Sequence, residues 1–473
     1  MNDDIIRILR DAVGSDAVLT TAEDRAPFEK GWRYGEGRAS CVVLPQDTAG
    51  VSTVLRLCAR HGLRVQPVGA NTGLVAASNP DGTGEQVVLG MQRMDQVVSV
   101  DPVDRVAVVQ AGVTLSALNE TLGAHDLWYP IDLGADPQIG GMIATNTGGT
   151  RLVRYGDVRD NLLGVEVVLA DGTVVPRGAP LRKNNTGLDL QQLFVGTSGR
   201  FGVVTQAALA VAPRPNQRIT FLFGLGDGNV ALELLQALER ELGDFLSAFE
   251  TISHEALEIT VRRGSRVRDP FPGRAFPLVA LVELSTSCRA EHLDLTQVVM
   301  NSVAGLAAEI QGLDDEAILL EQDDAFWHLR HSLTEALRLE GLVLAFDLSV
   351  PRSKLADFSR AIRERVARLQ PGAKVCDYGH WGDGGTHVNI LLPASVSMTP
   401  GSEAWVTLQE AVYALCVEEF GGSYSAEHGV GPHNQHVYDR YVDAQQAAIS
   451  GKLEEWFDRG TRLGTVRWGP PKA

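Results

Sequence analysis

Apolar positions along the chain follow two alternating patterns. Between Cys41 and about Pro215, short β-branched runs (CVVLP, RVQPVG, QVVLG, VAVVQAG, GVEVVLADGTVV, FGVVTQAALAV) alternate with stretches such as TAGVSTVLRLCARHG and LSALNETLGAHD, where apolar residues recur every three or four positions. The first pattern predicts strands and the second amphipathic helices. The run VAPRPNQR, with two prolines and no periodicity, predicts a domain boundary near 215. From 216 to 420, the strand-like ITFLFGL, LVALVEL, VLAFDLSV and HVNILLP are spaced by long helices such as LADFSRAIRERVARLQ. This predicts an antiparallel sheet covered by helices. The remainder, 421–473, holds a glycine-flanked loop, SYSAEHGVG, and an amphipathic helix around Asp443 to Arg459. It is too short to bury its own core and is expected to pack back on an earlier domain. The fold class is α+β, with segments 1–215, 216–420 and 421–473.

A chain of 473 residues exceeds one ordinary core, which agrees with that division. Lys plus Arg number 42 against 59 Asp plus Glu, a net charge of −17, which argues against nucleic acid or an anionic lipid surface as main partner. No run of about 18 apolar residues occurs, so no transmembrane segment is expected. The five cysteines are odd in number, widely spaced and never in a CxxC pair, which disfavours a disulfide framework or a cysteine-zinc site. With an acidic start lacking a basic n-region, this leads to an expectation of the cytoplasm.

Glycine is the one unusual component, 49 residues in tight clusters. In RVQPVGANTGLVAAS, Gly69 and Gly73 flank Ala70, Asn71 and Thr72. Such a loop lets backbone amides approach a pyrophosphate, although a plain glycine turn looks the same. A second stretch, PIDLGADPQIGGMIATNTGGTRLVRYGDV, holds Gly134, Gly140, Gly141, Gly148 and Gly149, with Thr145, Asn146 and Thr147 as hydrogen-bonding side chains. Its low bulk suits backbone laid against a flat ring system. Neither GxGxxG after a first strand nor GxxxxGK[ST] is present, so the dinucleotide and P-loop patterns do not apply.

The segment CDYGHWGDGGTHVNILLP places His380 and His387 on either side of a turn-forming GDGG, so a hairpin would join the two imidazoles. Two hairpin histidines are more often surface or core residues than ligands. Glu427 and His428, on the glycine-bounded SAEHG loop, change the weighing. Two imidazoles and a carboxylate suit a divalent ion with an open coordination position, while mutually satisfied polar groups in a buried loop remain the plain alternative. Arg330 and Thr334 stand one helical turn apart, where a guanidinium can grip a carboxylate or simply be solvated.

Read together, PVGANTGL, PIDLGADPQIGGMIATNTGG, RYGDV, RKNNTGLDLQQLFVG and GRFGVVT resemble the two-subdomain FAD domain of the vanillyl-alcohol-oxidase and para-cresol-methylhydroxylase superfamily. Within it the chain resembles the FAD-dependent D-2-hydroxyacid dehydrogenases, over nearly its whole length. The resemblance implies non-covalent FAD, with Gly69, Ala70, Asn71, Thr72, Gly73 and Leu74 at the pyrophosphate and Ser78 as a further cofactor contact. It implies that Gly140, Gly141, Ala144, Thr145, Gly148 and Gly149 lie along the ribityl and isoalloxazine parts, that Val203 touches the adenine side, and that Pro130, Leu133, Gly134, Tyr155 and Gly156 also bind the cofactor. The GHxGDGxxH and SAEHG motifs imply His380, His387 and Glu427 as ligands of zinc or another divalent metal, and His428 as the base. Arg330, Thr334, Asn389 and Trp381 are the implied substrate contacts. Implied partners are a D-2-hydroxy acid and an electron acceptor such as a quinone or an electron-transfer flavoprotein, with a homodimer as the expected assembly. A flavin-dependent oxidase and a catalytically silent FAD-binding paralogue are the competing readings. The chain departs from the pattern at Ala345, where a lysine is usual, at Gly385, at Trp381, and at Pro432 to Gln435. Loss of that cation turns the expectation toward a monocarboxylate with an apolar tail, unless Arg200 supplies a substitute charge.

Overall fold

The structure is a computed structural model and describes residues 3–321, 324–393, 398–458 and 460–471. The chain divides into two compact units: one of 1–148, 156–214 and 427–473, the other of 149–155 and 215–426.

Among the described residues the first unit carries eleven strands: β1 (Val18–Leu19), β2 (Ala39–Val43), β3 (Val65–Val68), β4 (Gln86–Gly90), β5 (Val97–Asp101), β6 (Val106–Gln110), β7 (Leu127–Trp128), β8 (Leu162–Val168), β9 (Val174–Val175), β10 (Val203–Ala210) and β11 (Ala212–Pro213). Two sheets dominate, ordered β1-β2-β4-β3 and β5-β6-β10-β8-β9. In the first, β2, β4 and β3 run parallel, while the second is antiparallel. The parallel ladder needs a crossover, which the helix Thr48–Arg60 provides. Asp47 caps it by accepting the Gly50 N–H at 2.7 Å, and its face of Val51, Val54, Leu55 and Cys58 is buried in the core shared by both sheets. The C-terminal segment returns to this unit: Leu463 bridges Val65, the helix Ala444–Phe457 buries Phe457 against Phe194 and Phe201, and Arg459 lies outside the described residues.

The second unit is built on one seven-stranded antiparallel sheet, β12 (Gln217–Leu225), β13 (Leu246–Ser253), β14 (Leu278–Thr286), β15 (Leu313–Leu320), β16 (Val343–Ser349), β17 (Lys374–Gly379) and β18 (Gly385–Leu391), in the order β15-β12-β14-β13-β17-β18-β16. Strands β13 and β14 are buried on both faces, so the polar residues they carry are buried with them. Carboxylates on such strands must find partners. Glu283 on β14 does so through Arg151, whose Nε and Nη2 donate to it at 2.8 and 2.9 Å. That pair fastens Gly149–Tyr155 to this unit.

Candidate active site

In the first unit, β3 delivers the chain into the loop that begins at Gly69. The loop is braced by its own polar residues. Asn71 adopts a left-handed conformation (φ 56°), and its Nδ2 donates to the carbonyls of Pro27 and Lys30 at 3.2 and 2.7 Å. Ser78 Oγ donates to Asn71 Oδ1 at 2.7 Å, and Gln92 Nε2 donates to the Gly69 carbonyl at 2.6 Å. Asn71 and Ser78 thus shape the loop with their side chains. A Cβ on Gly73 would meet nothing within 4 Å.

The helix Ile139–Thr145 lies beside this loop. Gly140 packs on Ala111, where a Cβ would come within 2.8 Å of the alanine methyl, while Gly141 faces open space and its Cα lies 3.8 Å from the position a Gly69 Cβ would take. Gly134 is likewise open. Thr145 Oγ1 donates to the Gly141 carbonyl at 3.0 Å and contacts Thr147 Oγ1 at 2.9 Å, and Ala144 accepts the Ser198 N–H at 2.7 Å. Pro130 is buried, Leu133 packs on the core, and Gly156 needs its positive φ of 70° beside Asp160. Val203 is buried at the start of β10. Next to the two loops, Gln138 Oε1 is buried without a hydrogen-bond partner, as is Tyr129 OH. Open glycine backbone next to an orphaned buried acceptor fits a polar, flat cofactor, because burial without a partner otherwise costs several kcal/mol, roughly 1–3.

The SAEHG loop continues into the first unit with Glu427 and His428, whose Oε1 and Nε2 are 3.5 Å apart. Beyond them the loop is pinned by Asn434, which accepts the Gly431 N–H and donates to the Gly429 carbonyl, both at 2.9 Å. It rests on the end of the glycine loop, since the His433 N–H donates to the Val75 carbonyl at 3.2 Å. His433 stacks on Tyr34, with ring centroids 3.8 Å apart. Burial, with smaller contributions from His436 and Arg33, pushes its pKa down to about 4.

In the second unit, β17 and β18 form the hairpin expected from GDGG. Three N–H groups, of Asp383, Gly384 and Gly385, converge on the His380 carbonyl at 3.0 to 3.1 Å, and the turn uses positive φ at Gly379 and Gly384. This turn brings His380 Nε2 to 3.2 Å from His387 Nε2. The separation suits an N–H···N hydrogen bond, and it also matches two imidazoles sharing one tetrahedral ion, whose nitrogens stand about 3.3 Å apart for bonds of ~2.0–2.1 Å. His380 Nδ1 lies 2.6 Å from Glu250 Oε1, the carboxylate partner that metal-binding histidines usually have. His387 Nδ1 lies 3.8 Å from Asp347 Oδ1. Glu250 is fully buried. Burial alone would raise its pKa, but His380 and then Arg330 outweigh it and hold the carboxyl down at about 2.

Arg330 Nε donates to Glu250 Oε2 at 2.6 Å, its guanidinium sits 5.0 Å from the Tyr378 ring centre, and Thr334 Oγ1 lies 2.8 Å from Tyr378 OH. Tyr378 pairs directly with His387, and Asn389 pairs with Ala345, so Arg330, Thr334, Asn389 and both histidines gather on one part of this unit. Trp381 does not join them. It is 1% exposed, and its ring ends in the core near Gly228 and Ala356. Arg200 is no substitute cation either: in the first unit it is buried and paired with Glu454 and Asp458, which consume its guanidinium. Glu250, Tyr378 and Asp347 escaped the sequence reading. The available signal for Glu250 was a lone carboxylate inside the otherwise buried strand LSAFETIS.

Residues 39–176 match the family model described as an FAD binding domain, and residues 214–459 match that of the C-terminal domain of FAD linked oxidases. The p-cresol methylhydroxylase solved with substrate bound shares the fold, with a TM-score of 0.75 at 17% identity, covering 99% of this chain and 96% of that one. The fold is therefore that of a flavoprotein of the vanillyl-alcohol-oxidase and p-cresol-methylhydroxylase type. The chain is 36% identical over 460 residues to D-2-hydroxyglutarate dehydrogenase, mitochondrial, of Rattus norvegicus, covering 96% of this chain and 83% of that protein. It is 34% identical over 438 residues to the probable enzyme of the same name from Oryza sativa subsp. japonica, covering 91% and 75%. It belongs to the FAD-dependent D-2-hydroxyacid dehydrogenases. These relatives, named as mitochondrial, correct the cytoplasmic placement expected above. The five free thiols fit any reducing compartment and never singled out the cytoplasm. Among the described residues, no helix is long and apolar enough to cross a membrane.

Proposed function

We propose that this enzyme oxidises a D-2-hydroxy acid to the 2-oxo acid, with non-covalent FAD on the glycine loops of the first unit and a divalent ion, zinc by preference, held by His380, His387 and Glu427. When bound, FAD supplies the acceptor for the hydrogen and electron pair leaving C2, and the ion supplies Lewis acidity at the substrate hydroxyl and carboxylate. The chain's own groups do the rest. Arg330 holds the carboxylate, Thr334 and Asn389 hydrogen-bond the substrate, and His428 takes the hydroxyl proton on Nε2, where the Glu427 carboxylate stabilises the imidazolium. As that O–H bond and the C2–H bond break, the C2–O bond becomes a carbonyl.

The observation that carries this reading is the His380–His387 pair at 3.2 Å with Glu250 behind His380. It supports a metal because the carboxylate fixes the proton on Nδ1 and leaves the Nε2 lone pair for an ion. Glu427 follows Ala426, whose N–H donates to the Asp347 carbonyl at 3.3 Å. The reading extends to a homodimer passing electrons to a quinone or an electron-transfer flavoprotein. The test is anaerobic flavin reduction by both enantiomers of lactate, malate, mandelate, phenyllactate and 2-hydroxyglutarate, before and after chelation and zinc add-back. Bleaching by D-enantiomers that chelation abolishes and zinc restores is the expected result. Bleaching that ignores chelation removes the metal, and flavin that no acid reduces removes the reaction.

A further inference from the structure

Glu250 stands between two groups that otherwise have separate tasks. Its Oε1 lies 2.6 Å from His380 Nδ1, and its Oε2 accepts from Arg330 Nε at 2.6 Å. The side chain is fully buried on β13, His380 and Arg330 are each 8% exposed, and all three belong to the second unit. A carboxylate shared by two donors in such a site sets the position of both, because moving toward either one strips the other of its acceptor.

We infer that Glu250 is a positioning residue with two simultaneous outputs: it sets the His380 tautomer for metal binding, and it aims Arg330 at the substrate carboxylate. The inference rests on the function proposed above and goes beyond it, because it makes ion affinity and acid affinity properties of one side chain. With the proton held on Nδ1 by Glu250, Nε2 of His380 keeps its lone pair. With Nε of Arg330 engaged by Glu250 at 2.6 Å, the guanidinium is anchored on one edge, and that anchor sets where the fork points. The Tyr378 ring beside the guanidinium, 5.0 Å away, fixes the plane of that fork.

Glu250→Gln separates these outputs from ordinary packing. The carboxamide is nearly the same size but offers one acceptor oxygen and a donor NH2, while both partners present N–H groups. If the oxygen serves Arg330, the NH2 faces Nδ1 and drives the His380 proton to Nε2, where it blocks the ion. If the oxygen serves His380, the NH2 opposes Arg330 Nε–H and displaces the fork.

The test uses the FAD-loaded full chain. Zinc affinity is measured by competition with a chromogenic chelator, the Co2+-substituted protein supplies a visible spectrum, and KM and kcat are measured with D-2-hydroxyglutarate and D-lactate. Glu250→Gln is expected to weaken zinc about 10–100-fold, as loss of an outer partner of a metal ligand does. It is also expected to shift the Co2+ bands and to raise KM about tenfold with a smaller change in kcat. Glu283→Gln, which breaks a separate buried carboxylate–arginine pair of this unit, is expected to lower thermal stability while leaving zinc affinity and the Co2+ spectrum as in the wild type. Should Glu250→Gln not fold, Glu250→Asp decides the matter, since it keeps two acceptor oxygens but is too short to reach both partners, and the same two losses are expected. Wild-type zinc affinity or wild-type KM in the folded variant overturns the dual role. A wild-type protein that binds no zinc, or whose flavin neither acid reduces, overturns the proposed function and the inference with it, which distinguishes that failure from one confined to Glu250.

Discussion

Gly431 lies directly against the carbonyl of Val75, so that a Cβ on Gly431 would stand 2.2 Å from the Val75 oxygen. This close approach seats the loop carrying His428 on the loop that begins at Gly69, and both belong to the first unit. Gly431→Ala must push the two apart, at about 1–3 kcal/mol for overpacking. We expect a lower unfolding midpoint and faster flavin release, followed by the recovery of FAD fluorescence. A variant with wild-type flavin retention would show that the seating has no bearing on the cofactor.

His428→Asn is expected to reduce turnover by ~10²–10⁴-fold, the usual worth of a general base, with the flavin spectrum unchanged. Stopped-flow flavin reduction reads this directly. Reduction at the wild-type rate would assign the base elsewhere.

Trp381 is buried with its ring tip against Gly228, so Trp381→Phe should cost stability, roughly 1–3 kcal/mol, through the void left by the smaller ring. Urea unfolding measures the loss. A large rise in KM at unchanged stability would instead place the indole in the substrate pocket.

His433 is kept neutral by burial against Tyr34, with its pKa near 4 compared with 6.5 for an ordinary histidine. The unfolded chain therefore binds the extra proton first. Stability should be complete above pH 6.5, decline as pH falls from 6.5 to 4, and flatten below that. The full span is on the order of 3 kcal/mol. Chemical unfolding across this window, compared with His433→Gln, isolates the contribution. A variant with the same slope as the wild type would trace the decline to other groups.

Much of the fold was legible because its signals are local. Alternating and continuous β-branched runs marked β2, β4, β6, β8 and β10, and a 3.6-residue period marked the helices Thr48–Arg60 and Leu355–Leu369. The hairpin joining His380 to His387 was legible too, since glycines at 379 and 384 permit the positive φ that the turn requires. The family was readable from the glycine-rich stretches, where the absence of a Cβ leaves open space at Gly73, Gly134 and Gly141.

The sequence by itself determined which residue types were available for chemistry: the two hairpin imidazoles, the Glu427–His428 pair, and the open glycine backbone. Only the tertiary structure decided which of them have partners. Glu250 and Arg330 are 80 residues apart along the chain, and Glu250 and His380 are 130 apart. No periodicity spans such distances, because strand pairing and burial choose the partner. The same packing sent Trp381 into the core and closed Arg200 into an ion pair, since a buried ring or charge takes whatever neighbour the fold presents.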